Sequence, residues 1–367
     1  MKVAHILSSF EHVAGTERFV IETTREMSVR RIHARIYTGL LNPKALGGLR
    51  GEVEIRKVDL IIIPMFQLYF NLSISKRLID VAASWADVII LHTGLGMAEY
   101  AWRKRGVTCV PFFHIDKFDS QHFGRLRSIT PVYTYPLRLQ ESRCVRNIPL
   151  AFANSRSLSN RVANYAKGGR LVKIPLGVDT NRFQPTWVDQ EYALMVGRFH
   201  PLNNFELGLK AAFDLPCKIV IAGILEKKFL WYYQHLLQLV EASRALSDRV
   251  EFRVSNDDEE LIGLIQNCSV FLSPRMYDYL GLATLEAMSC GKPVLTRSCD
   301  EESEYCPVIT CGDQFSKWRE ALESLMGDDQ LRENIGRESR EYVEKHHTWK
   351  KTVDLMLESI KGPSVRH

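Results

Sequence analysis

A rhythm constrains this chain more than any single motif does: short β-branched runs alternate with helix-like segments almost from end to end. KVAHILSS leads into a helical segment from about Thr16 to Met27, and HARIYTGL reads as a second strand. ADVIILHT, VTCVPFFH and PLAFANS follow, each ahead of a stretch with helical periodicity. The rhythm breaks near Pro185, in the polar stretch RFQPTWVDQEY (182–192), and restarts with EYALMVGR, CKIVIAG, RVEFRV, CSVFLSP and KPVLT. Alternation of this kind buries strands beneath helices on both faces, which is a parallel, doubly wound sheet. Because the pattern occurs twice, it predicts an α/β protein of two doubly wound domains, 1–186 and 187–346. A length of 367 residues agrees, since one hydrophobic core rarely serves so long a chain.

Composition narrows the class. Hydrophobic residues make up 46% and charged residues 25%, which leaves no room for a disordered or fibrous chain. The N-terminus, MKVAHILSSF, turns polar by position 8 and reads as a first strand rather than an export signal. The longest apolar stretch, LIIIPMFQLYF at 60–70, is interrupted by Pro64 and Gln67 and is too short to span a membrane. The eight cysteines include no CxxC pair and no histidine at zinc-ligand spacing, so buried reduced thiols in the cytoplasm are expected. Charge is uneven: residues 1–150 carry 21 Lys and Arg against 13 Asp and Glu, and the remainder is net acidic. A basic first half suits the inner membrane surface or a phosphorylated acceptor, and equally a merely solvated face. Nucleic acid fits least, because the basic residues are not interleaved with aromatics.

In doubly wound sheets ligands bind beyond the carboxyl ends of strands, where loops enter helices. Four segments hold polar residues there. In SPRMYDYLGLATLEAMSCGKPVLT (273–296) a strand passes through a glycine loop into a helix near Ala283. Exposed amides and the helix dipole at Gly281, Leu282 and Ala283 favour a diphosphate, and Glu286, one helical step inside, suits vicinal hydroxyls. Asp278, on the loop, suits sugar hydroxyls. In LMVGRFHPLNNFEL (194–207) Arg198 follows a strand directly and can fork onto phosphate. In SSFEHVAGTERFV (8–20) Gly15 permits close backbone approach to a ligand. In VPFFHIDKF (110–118) His114 ends an apolar strand and suits a sugar hydroxyl, and His92 holds the matching place after VIIL. Each residue taken singly is equally compatible with a turn, a solvated acid or a structural histidine.

Taken jointly and in order, these segments resemble the retaining enzymes of glycosyltransferase family 4, with the GT-B fold of two Rossmann-like domains facing across a cleft. ANSRSLSNRV (153–162), IPLGVDTNRFQP (174–185), NDDEELIGLIQNCSVFLSP (256–274) and the final helix HTWKKTVDLMLESI (347–360) extend the resemblance over nearly the whole chain. In the family that last helix, about 347–361 here, packs back on the N-terminal domain. The resemblance implies transfer of a hexosyl-type sugar from a nucleotide-diphosphate sugar to a sugar, glycan or lipid-linked acceptor, with no cofactor and no metal required. It implies that Glu286 binds the donor ribose and Asp278 the transferred sugar. Arg198 neutralises the diphosphate, amides from Gly281 to Ala283 hold phosphate and sugar oxygens, and His114 contacts the sugar. Gly15 borders the donor phosphates or the acceptor, and Arg253 and Val254 lie beside the base. Three departures stand out: Asp278 replaces the usual glutamate, Ala14-Gly15 replaces a double glycine, and Asn203 stands where the family has a lysine. Lys227 or Lys228 is the expected substitute for that lost cation. A sugar-nucleotide epimerase on the same fold, or a catalytically weak binding protein, stands as the alternative.

Overall fold

The computed structural model describes residues 1–10, 13, 15–42, 53–58, 76–93, 95–114, 130–163, 169–255, 257–276, 279–299 and 305–362. Ala14, Asp278 and the apolar stretch 60–70 lie outside the described residues. The chain forms two compact units, Met1–Leu176 with Trp349–His367, and Gly177–Thr348.

The first unit is built on a seven-stranded parallel sheet. Its strands are β1 (Lys2–Phe10), β2 (His33–Leu41), β3 (Glu54–Lys57), β4 (Val88–Leu91), β5 (Thr108–Phe113), β6 (Leu150–Ala153) and β7 (Arg170–Lys173), ordered β3-β2-β1-β4-β5-β6-β7. All four residues of β4 are buried, as a strand covered on both faces requires. Helix α1 (Gly15–Val29) follows β1 and buries Phe19, Val20 and Ile21. Helix α2 (Trp349–Lys361), the last of the chain, belongs to this unit. Arg30 at the end of α1 pairs with Asp354 at 2.8 Å and donates to the Lys350 carbonyl at 2.9 Å, while Phe19 meets Trp349 edge-on.

The second unit repeats the plan with six strands: β8 (Tyr192–Val196), β9 (Lys218–Gly223), β10 (Val250–Val254), β11 (Val270–Ser273), β12 (Val294–Thr296) and β13 (Ile309–Thr310). Their order is β10-β9-β8-β11-β12-β13, all parallel where paired. Strand order therefore reverses between β1 and β4 in one sheet and between β8 and β11 in the other. Loops leaving two such strands part to opposite sides, and the gap between them is where a doubly wound sheet takes its ligand.

The first unit ends at Leu176, ten residues before the boundary expected at 186. The cause is hydrogen bonding rather than composition. Side chains of the second unit capture the backbone of the polar stretch: Arg340 donates to the carbonyls of Thr180 and Phe183, Ser289 to Phe183, Gln266 to Gln184 and Lys292 to Val188. The eight cysteines form no disulfide, and five of them are buried.

Candidate functional site

In the second unit, β11 ends at Ser273 and the chain re-enters a helix, α3 (Leu282–Ser289), whose N-cap is Gly281 in an extended conformation. Thr284 in the first turn donates to the Ser273 hydroxyl at 3.0 Å, and Thr296 bonds the Ser273 carbonyl, so the helix mouth is pinned to its sheet. A Cβ at Gly281 would lie 1.6 Å from the guanidinium of Arg275, the flexible end of that side chain, which would have to swing aside. Leu282 and Ala283 are half-buried at the mouth, and Glu286 is 7% exposed one turn inside.

The neighbouring strand β8 delivers Arg198. Gly197 donates to the Ala222 carbonyl and Phe199 to the Ile224 carbonyl, extending the sheet just past β8 and β9. Gly223, at φ +145°, lies so close that a Cβ would sit 1.9 Å from the Gly197 oxygen. The missing Cβ of Gly223 thus lets two strand ends touch. Asn203 fills the remaining space against Gly197 and donates from Nδ2 to the Arg198 carbonyl at 2.6 Å. The amide does structural work there and adds no charge.

A second cation stands close to Arg198. Arg198 Nη1 lies 3.1 Å from one oxygen of Glu226, and Lys228 Nζ lies 2.8 Å from the other. Burial pushes the Glu226 carboxyl up, but the hydrogen bonds and charges of Lys228 and Arg198 outweigh it and hold it below the usual carboxylate range. A guanidinium and an ammonium therefore share one ionised carboxylate, with a positive charge in excess. Lys227 sits beside them in the same exposed turn but makes neither contact. The loop holding Arg275 is tied to the segment after Arg198, because Met276 donates to the Leu202 carbonyl at 2.9 Å. Arg198 and the mouth of α3 thus occupy adjacent strand ends, on either side of the reversal between β8 and β11.

In the first unit Gly15 opens α1, and no described atom lies within 4 Å of where its Cβ would be. Among the described residues nothing demands a glycine there. His114 follows the last residue of β5 and is 4% exposed, and His92, fully buried, follows β4. Arg253 and Val254 close β10, the edge strand, separated from β8 by β9. Arg253 pairs with Glu251 on its own strand, and Val254 is exposed.

Sequence reasoning missed three residues. Glu226 and Arg275 each follow a strand end, the place the position rule marks, but nothing local reveals which cation a lone acid will join. His5 lies inside β1 with its Nδ1 2.9 Å from His92 Nε2, and a polar residue in an apolar run was the available signal.

Two parallel sheets, each with its polar loops at the point where strand order reverses, are the GT-B architecture of glycosyltransferases. Residues 13–182 match the model described as Glycosyltransferase Family 4, and residues 178–342 match Glycosyl transferases group 1. The chain belongs to this family of nucleotide-sugar-dependent glycosyltransferases. It is similar to a D-inositol 3-phosphate glycosyltransferase of Paenarthrobacter aurescens, 26% identical over 60% of this chain and 59% of that protein. The Mycolicibacterium smegmatis enzyme of the same name is 22% identical over 94% of this chain and 85% of its own length. Among solved structures, sucrose-phosphate synthase from Thermosynechococcus elongatus superposes with a TM-score of 0.81 at 17% identity, covering 97% of both chains. Anabaena HepE in complex with UDP-glucose gives 0.76 at 17%, covering 98% of this chain and 100% of that one. The matches give the epimerase alternative no support. Among the described residues no helix is long and apolar enough to cross a membrane.

Proposed function

We propose that the chain moves a hexosyl sugar from a nucleoside-diphosphate sugar to a hydroxyl of an anionic or lipid-linked acceptor, with retention of anomeric configuration. One observation carries this reading: Arg198 and Lys228 meet on the two oxygens of Glu226, with Arg198 at the strand end next to the one whose loop leads to Gly281. Two cations on one carboxylate leave a net positive charge fixed where a departing diphosphate accumulates its negative charge. Preorganised charge of this kind stabilises a transition state because it needs no reorganisation during the reaction. Amides from Gly281 to Ala283 would hold the phosphate and sugar oxygens. Glu286 would accept hydrogen bonds from the ribose and Asp278 from the transferred sugar, and His114 would contact a sugar hydroxyl. Ala14 and Gly15 would border the phosphates or the acceptor, and Arg253 and Val254 the base. Proton transfer from acceptor to leaving phosphate on the same face would give retention without a separate base.

Support for an anionic acceptor comes from the basic first 150 residues and from relatives named for inositol 3-phosphate. Support for the donor class comes from HepE, whose structure holds UDP-glucose, so UDP-sugars lead the panel. Thermal shift of the full chain against UDP-, GDP- and ADP-sugars identifies the donor, since a ligand bound only by the folded state raises its melting temperature. Proton NMR of the product with that donor then reads the anomeric coupling. A panel in which no nucleotide-sugar stabilises the chain, or a product of inverted configuration, overturns the reading. Because Arg198 and Lys228 supply the cationic charge, we expect turnover to persist in excess chelator; loss of turnover restored by a divalent cation would contradict this.

A further inference from the structure

The segment that leaves Arg198 re-enters a helix at Phe205, and the group that receives it there belongs to the helix after the Lys228 turn. Phe205 opens the helix Phe205–Ala211, so its amide has no carbonyl to bond within that helix. Asn204 precedes it in the left-handed region at φ +50°, and the Asn204 side chain does not cap the helix. The Phe205 amide donates instead to the Tyr232 hydroxyl at 3.2 Å. Tyr232 lies in the helix Leu230–Glu241, which continues directly from the turn Lys227–Phe229. Its own proton goes to Glu206 Oε2 at 2.5 Å, and the other oxygen of Glu206 lies 3.8 Å from His235 Nε2.

Donor and acceptor roles here are fixed by chemistry. A phenol has one proton, and a carboxylate only accepts, so Tyr232 gives its proton to Glu206 and turns a lone pair to the Phe205 N–H. Burial, and after it the Glu206 charge, push the Tyr232 hydroxyl above its usual range, so the proton stays on it. The segment behind this bond is stiff. Asn203, two residues before Phe205, donates to the Arg198 carbonyl at 2.6 Å, and the Phe199 ring meets the Phe205 ring edge-on at 5.8 Å. A shift of the Phe205 backbone therefore reaches the backbone that carries Arg198. On the far side of Tyr232, the Lys228 ammonium lies 5.0 Å from the centre of the Phe229 ring, and that ring meets His200 edge-on at 4.2 Å. One hydroxyl thus joins the segment behind one cation to the turn that carries the other.

We propose that Tyr232 is a positioning residue for sugar transfer: held by Glu206, its hydroxyl fixes the segment that carries Arg198 against the turn that carries Lys228. This rests on the reading that those two cations face the departing diphosphate. Charges on long side chains stabilise a transition state well only when their spacing is set before the reaction begins. A misplacement of about 1 Å, caused by a group far from the chemistry, can cost about a hundredfold in rate. Tyr232 is 2% exposed, so it acts through the backbone it holds and not by touching a ligand.

Tyr232→Phe removes one oxygen and keeps the ring. The Glu206 side chain is 25% exposed, so water can replace the lost donor and the variant is expected to fold, which urea unfolding checks. Steady-state kinetics of the full chain, with the donor that thermal shift identifies, should show kcat roughly tenfold lower and donor KM within about twofold of wild type, the pattern of an interaction felt in the transition state. Glu206→Gln keeps an oxygen that accepts the Tyr232 proton and should keep most of the turnover. NMR of the full chain, labelled with nitrogen-15 in asparagine and phenylalanine, reads the tie without catalysis. In Tyr232→Phe the Phe205 amide should exchange with solvent roughly tenfold faster or more, and the Asn203 side-chain amide should move toward the position of a solvated amide. In Glu206→Gln both signals should stay near their wild-type positions and rates. A folded Tyr232→Phe protein that keeps full kcat, or whose Asn203 signal does not move, overturns the proposal, and so does an equal loss of kcat in Glu206→Gln. If the wild type transfers sugar from no nucleotide-sugar, the functional reading fails, while the two amide signals still decide whether Tyr232 holds the Arg198 segment.

Discussion

At position 203 an uncharged amide stands where the family resemblance calls for a lysine, and Asn203 spends its Nδ2–H on the Arg198 carbonyl. In the proposed reading Lys228 makes up that charge, since it reaches the carboxylate that Arg198 also holds. Lys228→Ala should therefore lower kcat roughly tenfold, a value at the small end for a transition-state donor because the ammonium is largely exposed. Lys227→Ala should leave kcat near wild type. Steady-state kinetics on Asn203→Lys in the Lys228→Ala background tests the replacement, since a lysine returned to 203 should recover turnover if the two positions supply one charge. Equal losses for Lys227→Ala and Lys228→Ala would refute it. His5, completely buried in β1, makes a second residue-scale prediction. Burial lowers the pKa of His5 from 6.5 to about 3. Between those values the unfolded chain binds a proton that the folded chain refuses, so this contribution is present above pH 6.5 and is lost as pH falls toward 3. From pH 7 to pH 5 the loss is about 2 kcal/mol from His5 alone. Urea unfolding at the two pH values, compared with His5→Phe, reads it, and the variant should show a shallower slope.

At the scale of elements, the strand ends are where glycine matters, and for different reasons. Gly223 combines φ +145° with a Gly197 oxygen that would meet a Cβ at 1.9 Å, so both backbone strain and a backbone clash oppose any side chain. Gly223→Ala should cost about 3 kcal/mol or more by chemical denaturation. Gly15 opens a helix with no described atom near its missing Cβ, so Gly15→Ala should leave stability within about 0.5 kcal/mol. Turnover that falls in Gly15→Ala while stability holds would mark a glycine kept for a ligand. The elements themselves were legible in the sequence: the helix read from Thr16 to Met27 spans Gly15–Val29, and the strand read as HARIYTGL spans His33–Leu41. Periodicity reports burial on two faces, and doubly wound sheets are made of little else. The positions of Arg198, Glu286 and His114 after strands were legible for the same reason. Glu226, Arg275 and His5 were not, because their roles arise from partners brought together by the sheet.

Across the whole molecule, the domain count was legible and the boundary was not. Residues 182–192 read as a polar break, yet Arg340, Ser289, Gln266 and Lys292 bind carbonyls from Thr180 to Val188 to the second unit, and side-chain-to-backbone bonds leave no periodic trace. Charge asymmetry is also a property of the whole chain, and it was legible by counting. The first 150 residues hold an excess of Lys and Arg, and the last 217 an excess of Asp and Glu. In the first unit the helix Thr130–Val145 also exposes Val132 and Tyr135, with Arg138 nearby in sequence. An anionic surface attracts such a half with an energy that falls off over about 8 Å at physiological salt and about 3 Å at 1 M. Each basic side chain near the surface adds about 1 kcal/mol at low salt. The full chain should therefore sediment with vesicles containing phosphatidylglycerol at low ionic strength, stay in solution with purely zwitterionic vesicles, and be released as sodium chloride rises toward 0.5 M, a concentration chosen because it shrinks the screening length to roughly half its physiological value. Vesicle binding indifferent to both salt and lipid charge would place its cause in apolar insertion and remove the electrostatic argument for a membrane-borne acceptor.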